Sequence, residues 1–259
     1  MQTTRPILLL LLTLTMAAGC QETQQSSSTP SSAPSSTEPP AKPAVEEQAV
    51  IDTARYIRSA NLLERIENET GHFVFDVRSR DSYAQSHVRN ALSMPYGKFE
   101  PQDVAALEQM TLDTPIVTYC GCPHHLAGLA ADRLIEWGYL EVRVLYEGFW
   151  HWKDNQYPVA GLQTQQTSEL QLAGVIVSGD QPLADTDVFI LNTRNGQLEA
   201  AATDASGRFE TGFHVLDYRP DDQFEVRVGR LDAPVAHRLS AGLVQEKKTL
   251  PVFYIEHKG

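Results

Sequence analysis

From about residue 50 the chain alternates short apolar runs with amphipathic stretches. Ile57–Ile66 reads as a strand end, a Ser59 cap and a short helix. Gly71 closes that helix, and His72–Asp76 follows as an apolar strand. A polar turn over Asp76–Tyr83 enters another helix, Ala91–Met94 is apolar and stops at Pro95, and Gln102–Met110 has a helical pattern. Pro115–Tyr119 reads as a buried strand, and a helix is predicted from near Leu126 to about Trp137, with Gly138 as its C-cap. Val142–Tyr146 is the next strand. Strands alternating with helices predict an α/β domain: a parallel sheet with helices on both faces, and a ligand site at the carboxyl ends of the strands.

Past residue 170 the period changes to that of strands. Ala173–Val177 alternates, Gly179–Leu183 makes a turn, Asp187–Leu191 is a strand, and Asn195-Gly196 is a hairpin signal. Ala200–Thr203 leads through a turn at Asp204 into Phe209. Phe224–Val228 and Leu250–Ile255 complete an all-β pattern that predicts a sandwich.

The N-terminal residues do not fit either pattern. Arg5 precedes an apolar run, Ile7–Leu14, too short to span a bilayer. Met16-Ala-Ala-Gly-Cys20 resembles the lipobox of bacterial lipoproteins, which implies cleavage before Cys20 and lipidation of its thiol and new amino terminus. Gln21, rather than Asp, follows the cysteine, resembling an outer-membrane address. The Ser-, Pro- and Gln-rich stretch that follows is too polar to bury a core. The expected organisation is a signal peptide over residues 1–19, a disordered tether over 20–47, an α/β domain over 48–162 and a β-sandwich over 170–259.

Net charge is −12, and no Lys/Arg cluster stands out, so nucleic acid is not an expected partner. Of the three cysteines, Cys20 is assigned to lipid, leaving Cys120 and Cys122 in an envelope compartment. Both lie in the loop Thr118–Leu126, between strand and helix. There a thiol faces free backbone N–H groups and the positive end of a helix dipole, so Cys120 is expected to have a lowered pKa and to act as the nucleophile. The N–H groups from Gly121 to Leu126, spanning Cys122, Pro123, His124 and His125, would cradle an anion, and either histidine adds positive charge when protonated. Cys122 is open to three roles: a resolving thiol, a partner in a strained disulfide with Cys120, or a metal ligand. Cys120, Cys122, His124 and His125 form a weak candidate set for Cu(I) or Zn, since one short loop rarely encloses an ion. No cofactor is expected.

Several motifs carry a family resemblance. Asp76-Val-Arg78, Tyr83, Ser86–Ala91 and Met94-Pro95 resemble the first signature of the rhodanese sulfurtransferases. Tyr119-Cys120 resembles their active-site loop, and Val144–Gly148 with Trp152 and Tyr157–Val159 resembles their closing signature. Ser86, Asn90 and Glu147 stand where that family has glycine. The resemblance implies sulfur transfer through a Cys120 persulfide, from a small sulfur donor to a thiol acceptor, with Asp76, Arg78, Gly148 and Trp152 as structural support. Rhodanese-fold phosphatases need Arg six positions after the cysteine, and Leu126 is there. The later strands resemble carboxypeptidase regulatory-like modules of transthyretin-like fold, which implies a binding surface for an envelope protein. The expected function is that of a membrane-anchored, periplasm-facing sulfurtransferase. The alternative is a non-catalytic binding module whose Cys-x-Cys-Pro-His-His loop is a redox sensor or metal site.

Overall fold

Short runs that are apolar on both faces become the centre of a parallel sheet, because only helices on each side can cover them. The structure, a computed structural model, describes residues 51–68, 71–101, 107–108, 110–121, 125–240 and 253–257. The signal segment, Cys20, the tether, most of the helix expected over 102–110 and the loop residues Cys122, Pro123 and His124 lie outside these residues.

The first half contains β1 (Tyr56–Ile57), α1 (Ser59–Glu67), β2 (Phe73–Asp76), α2 (Arg80–Gln85), β3 (His87–Val88), β4 (Leu92–Ser93), a 3-10 turn (Tyr96–Lys98), β5 (Ile116–Tyr119), α3 (His125–Glu136), β6 (Val142–Leu145), α4 (Gly148–Asp154) and β7 (Val159–Ala160). Five strands pair in parallel in the order β1-β6-β5-β2-β4, with β5 central, while β3 and β7 form a separate antiparallel ladder. This agrees with the expected α/β sheet, with element ends shifted by a residue or two.

One local expectation is corrected. Ser59 is not the cap of α1 but its first residue, and the cap position, Arg58, makes no side-chain cap bond. The carboxylate of Glu147 does that work: it accepts from the Ser59 backbone N–H at 2.9 Å and hydroxyl at 3.0 Å, and from Arg58 at 3.2 Å. A negative group among the free N–H groups of a helix start is favourable. The residue that departs from the family's glycine pair thus ties α1 to α4. Gly148, the glycine that remains, has φ +74° and so keeps a backbone few other residues adopt. Asn90 has φ 68°, and asparagine tolerates that region better than most, which accounts for its standing in place of a glycine.

The second half is strand-rich. It comprises β8 (Thr167–Ser178), β9 (Gln181–Pro182), β10 (Asp187–Asn192), β11 (Leu198–Ala202), β12 (Arg208–Leu216), β13 (Gln223–Val228), β14 (Val235–Ser240) and β15 (Phe253–Glu256). One antiparallel sheet has the order β11-β10-β13-β14. The other has the order β12-β8-β15, with β9 pairing β8 and only β15 running parallel to its neighbour. Leu170, Leu172, Ile176, Phe209, Phe213 and Val215 from one sheet meet Val188, Ile190, Phe224 and Val226 from the other in a common core.

Residues Ala49–Gly259 form one compact unit. The reason is visible in β10, whose side chains serve two cores. Val188 and Ile190 face the core between the sheets. Phe189 and Leu191, with Ala200 and Leu198 opposite them in β11, join the core that contains Phe75, Cys120, Leu126 and Ala127. Phe189 also stacks on Tyr96, with ring centroids 6.1 Å apart. Phe189→Ala is expected to cost about 3–5 kcal/mol. Denaturant unfolding should read that loss with both halves unfolding earlier; a loss confined to one half would show that the core is not shared.

Candidate functional site

The site is built at the carboxyl end of β5. Tyr119, at the last position of that strand, is fully buried, and its hydroxyl donates to Asp76 Oδ2 at 2.7 Å while accepting the Val88 N–H at 3.0 Å. Asp76 is itself buried and is gripped by Arg78, whose Nε and Nη2 reach its two carboxylate oxygens at 2.9 and 2.6 Å. A fork of this kind offsets the cost of burying both charges. Arg78 also donates to the Ser86 carbonyl at 2.6 Å, and its guanidinium lies 3.8 Å from the Phe149 ring centroid. Trp152 is buried and donates its indole N–H to the Pro158 carbonyl at 3.0 Å. Asp76, Arg78, Gly148 and Trp152 are thus spread through the frame beneath the loop.

Cys120 follows Tyr119 directly and is 1% exposed. Its carbonyl accepts the Phe149 N–H at 2.9 Å, tying the loop to α4. The thiol is not activated as the sequence suggested: its pKa is raised, not lowered. Burial is the main cause, and the charge of Glu199 is the second. The Ala127 backbone N–H in the first turn of α3 and the guanidinium of Arg78 act the other way but do not prevail. Desolvation disfavours the thiolate whatever the orientation of the helix.

Glu199 belongs to β11, in the other half of the chain, and is 5% exposed. A Cβ placed on Gly121 would lie 3.7 Å from its Oε2, 3.7 Å from Arg78 Cδ and 3.0 Å from Trp150 Nε1. A side chain at the position after Cys120 would crowd the Trp150 indole. Above it remains a cavity of about 20 Å³, lined by Gly121, Arg78, Trp150, Glu199 and His214 among others. That is room for one water. His214, on β12, stacks on Trp150 with centroids 4.0 Å apart. Its Nδ1 is buried without a hydrogen-bond partner among the described residues, and burial holds its pKa down at about 4.

The other loop residues are divided. His125 starts α3, and its Nε2 meets Asp187 Oδ1 at 3.0 Å, so it is engaged by the sheet half. Leu126 is fully buried in the shared core. Among the described residues no group of three or more His, Cys, Asp or Glu is placed to hold a metal ion. Glu199 beside the thiol, His214 at the cavity over Gly121, and Phe189, Leu198 and Ala200 in the same core as Cys120 were not anticipated. The one available signal was the unbroken apolar run Val188–Leu191, which a sheet with one wet face does not need.

The model of the rhodanese-like domain matches residues 59–155. The thiosulfate sulfurtransferase GlpE of Coxiella burnetii is 33% identical over 81 residues, covering 31% of this chain and 70% of that protein. The chain belongs to the rhodanese-like family. Solved structures similar to it include BH2092 of Bacillus halodurans, 25% identical with a TM-score of 0.39 over 42% of this chain and 79% of that one. The thiosulfate sulfurtransferase of Pseudomonas aeruginosa is 26% identical with a TM-score of 0.37, over 41% of this chain and 20% of that one.

In this rhodanese-like chain the roof over the thiol is measurable. Alkylation of Cys120 by iodoacetamide, read by peptide mass, should be slow at neutral pH and should rise steeply above it. Glu199→Gln should move that rise to lower pH; an unchanged profile would show that Glu199 does not act on the thiol. His214 gives an acid-side signature. Because its folded pKa lies below the ordinary value of 6.5, it contributes stability above pH 6.5 that is lost as pH falls towards 4. His214→Phe keeps a ring against Trp150, and its melting temperature should fall less than that of the native chain between pH 7 and pH 4.

Proposed function

We propose that the rhodanese-like half carries out sulfurtransferase-type chemistry through Cys120. The observation that carries this reading is the place of the thiol: directly after the central strand of a parallel sheet, with the Ala127 N–H directed at it. Family membership and the likeness to a thiosulfate sulfurtransferase support it. In the proposed step the Cys120 proton leaves to solvent base, and the thiolate attacks the outer sulfur of a donor such as thiosulfate. The donor's S–S bond breaks, sulfite departs with the electron pair, and Cys120 is left as a persulfide. An acceptor thiolate then takes the outer sulfur and returns Cys120 to the thiolate. The cavity above Gly121 holds about 20 Å³.

The membrane side of the reading is also a proposal: lipidation at Cys20, a tether, an envelope location facing the periplasm, and a second half of the carboxypeptidase regulatory-like, transthyretin-like kind that meets an envelope protein. Among the described residues no helix is long and apolar enough to cross a membrane. The alternative, a binding module without turnover, is favoured by one observation, the buried and unactivated state of the Cys120 thiol.

Incubating the reduced full chain with thiosulfate and taking its intact mass separates the two. Sulfur transfer predicts the gain of one sulfur atom, released as sulfide or passed on when a thiol is added, and lost in Cys120→Ser. Absence of the adduct with thiosulfate and with a small persulfide, in both the native chain and Glu199→Gln, would remove the catalytic reading.

A further inference from the structure

A second cavity lies along the seam between the two halves and shares Ser79 and Leu198 with the lining of the small cavity over Gly121. Its volume is about 420 Å³, within the usual range for small-molecule sites. Val77, Pro95 and Tyr96 from the rhodanese-like half, and Leu191, Leu198 and Leu231 from the sheets, form apolar walls. Its charged lining has a different character. Arg80 and Lys98 are exposed at its edge, and neither forms an ion pair with any described residue. Asp81 is the carboxylate among the lining residues. Two unpaired cations against one acid leave this edge net positive, in a chain whose net charge is −12.

The third cation of the lining, Arg227, is already committed. Its Nη1 donates to the Leu231 and Ala233 carbonyls, and its Nη2 meets Glu225 at 2.9 Å. An apolar chamber therefore has at its edge two cations, Arg80 and Lys98, that pair with no described residue.

We infer that this seam cavity binds a small amphipathic anion: one acidic group on a compact apolar body, such as a medium-chain or aryl carboxylate. The acidic group is held by Lys98 and Arg80, and the body lies against Tyr96 and the leucines. A neutral molecule of the same shape leaves the cations unanswered. An anion without an apolar body leaves the chamber wet. The inference does not depend on chemistry at Cys120.

Titration calorimetry of the full chain tests it, using octanoate and 3-phenylpropionate against octanol, 3-phenylpropanol and acetate. At least one of the two acids is expected to bind saturably, its alcohol counterpart to bind about tenfold more weakly, and acetate not to bind. Arg80→Gln and Lys98→Gln should each weaken the acid about three- to fivefold. Leu231→Trp should fill the chamber and abolish binding with the melting temperature retained. Should that variant fail to fold, Gly97→Met offers a second block, since a Cβ there points at Leu231 Cδ2 from 3.9 Å. Saturable binding by neither acid, equal binding of acid and alcohol, or undiminished binding in a folded blocked variant would each overturn the inference.

Discussion

A carboxylate removed from water sets the terms for this structure. Asp76 ends β2 fully buried, where an unanswered charge would not survive. Its answer comes from three directions: the Arg78 guanidinium, the Arg78 backbone N–H at 3.0 Å, and the Tyr119 hydroxyl. Each partner is in turn committed elsewhere. Arg78 holds the Ser86 carbonyl beyond α2 and lies on Phe149, and Tyr119 holds the Val88 N–H. The two neighbouring strand ends, the α2 exit and the start of α4 are therefore fixed relative to one another by one charge. Removing a partner from such a group typically costs about 3–5 kcal/mol. Cys120, the next residue after Tyr119, takes its place from this frame.

The frame places the thiol, but the other half of the chain sets its environment. Phe189, Leu191, Leu198 and Ala200 of β10 and β11 present an apolar face to the core that contains Cys120, and Glu199 lies between the last two in β11. Burial and this carboxylate together keep the thiol protonated, while the usual sources of activation, a helix start and a nearby guanidinium, are present and outweighed. The surroundings of Cys120 are thus supplied by both halves of the chain.

The sequence shows the α/β half clearly because each strand there is a compact apolar run bounded by turn residues, and its helices carry a helical period. The strands of the second half are legible from alternation and from Asn195-Gly196. The local capping of α1 is not, because Ser59 looks like a cap in isolation and its real partner, Glu147, lies 88 residues away. The misjudged thiol pKa has the same origin. A loop between strand and helix is activating only if it faces water, and what covers it comes from residues some 80 positions later. Val188–Leu191 carried a trace of this. Four successive apolar residues in a strand need two apolar neighbours, and only one, the opposite sheet, was expected.

The double service of β10 bears on how such a chain can be divided. The interval between residues 162 and 170 looks like a natural place to cut, since the helical pattern ends before it and the strands begin after it. A fragment ending there would lose Phe189, Leu198 and Ala200 from a core that continues into Leu126 and Ala127. The face left behind would be apolar, would surround a cysteine and would invite self-association. Fragments made to simplify biochemistry would thus report the properties of an exposed interface. In evolution, too, the first half cannot readily be exchanged for a free-standing relative without repainting that face.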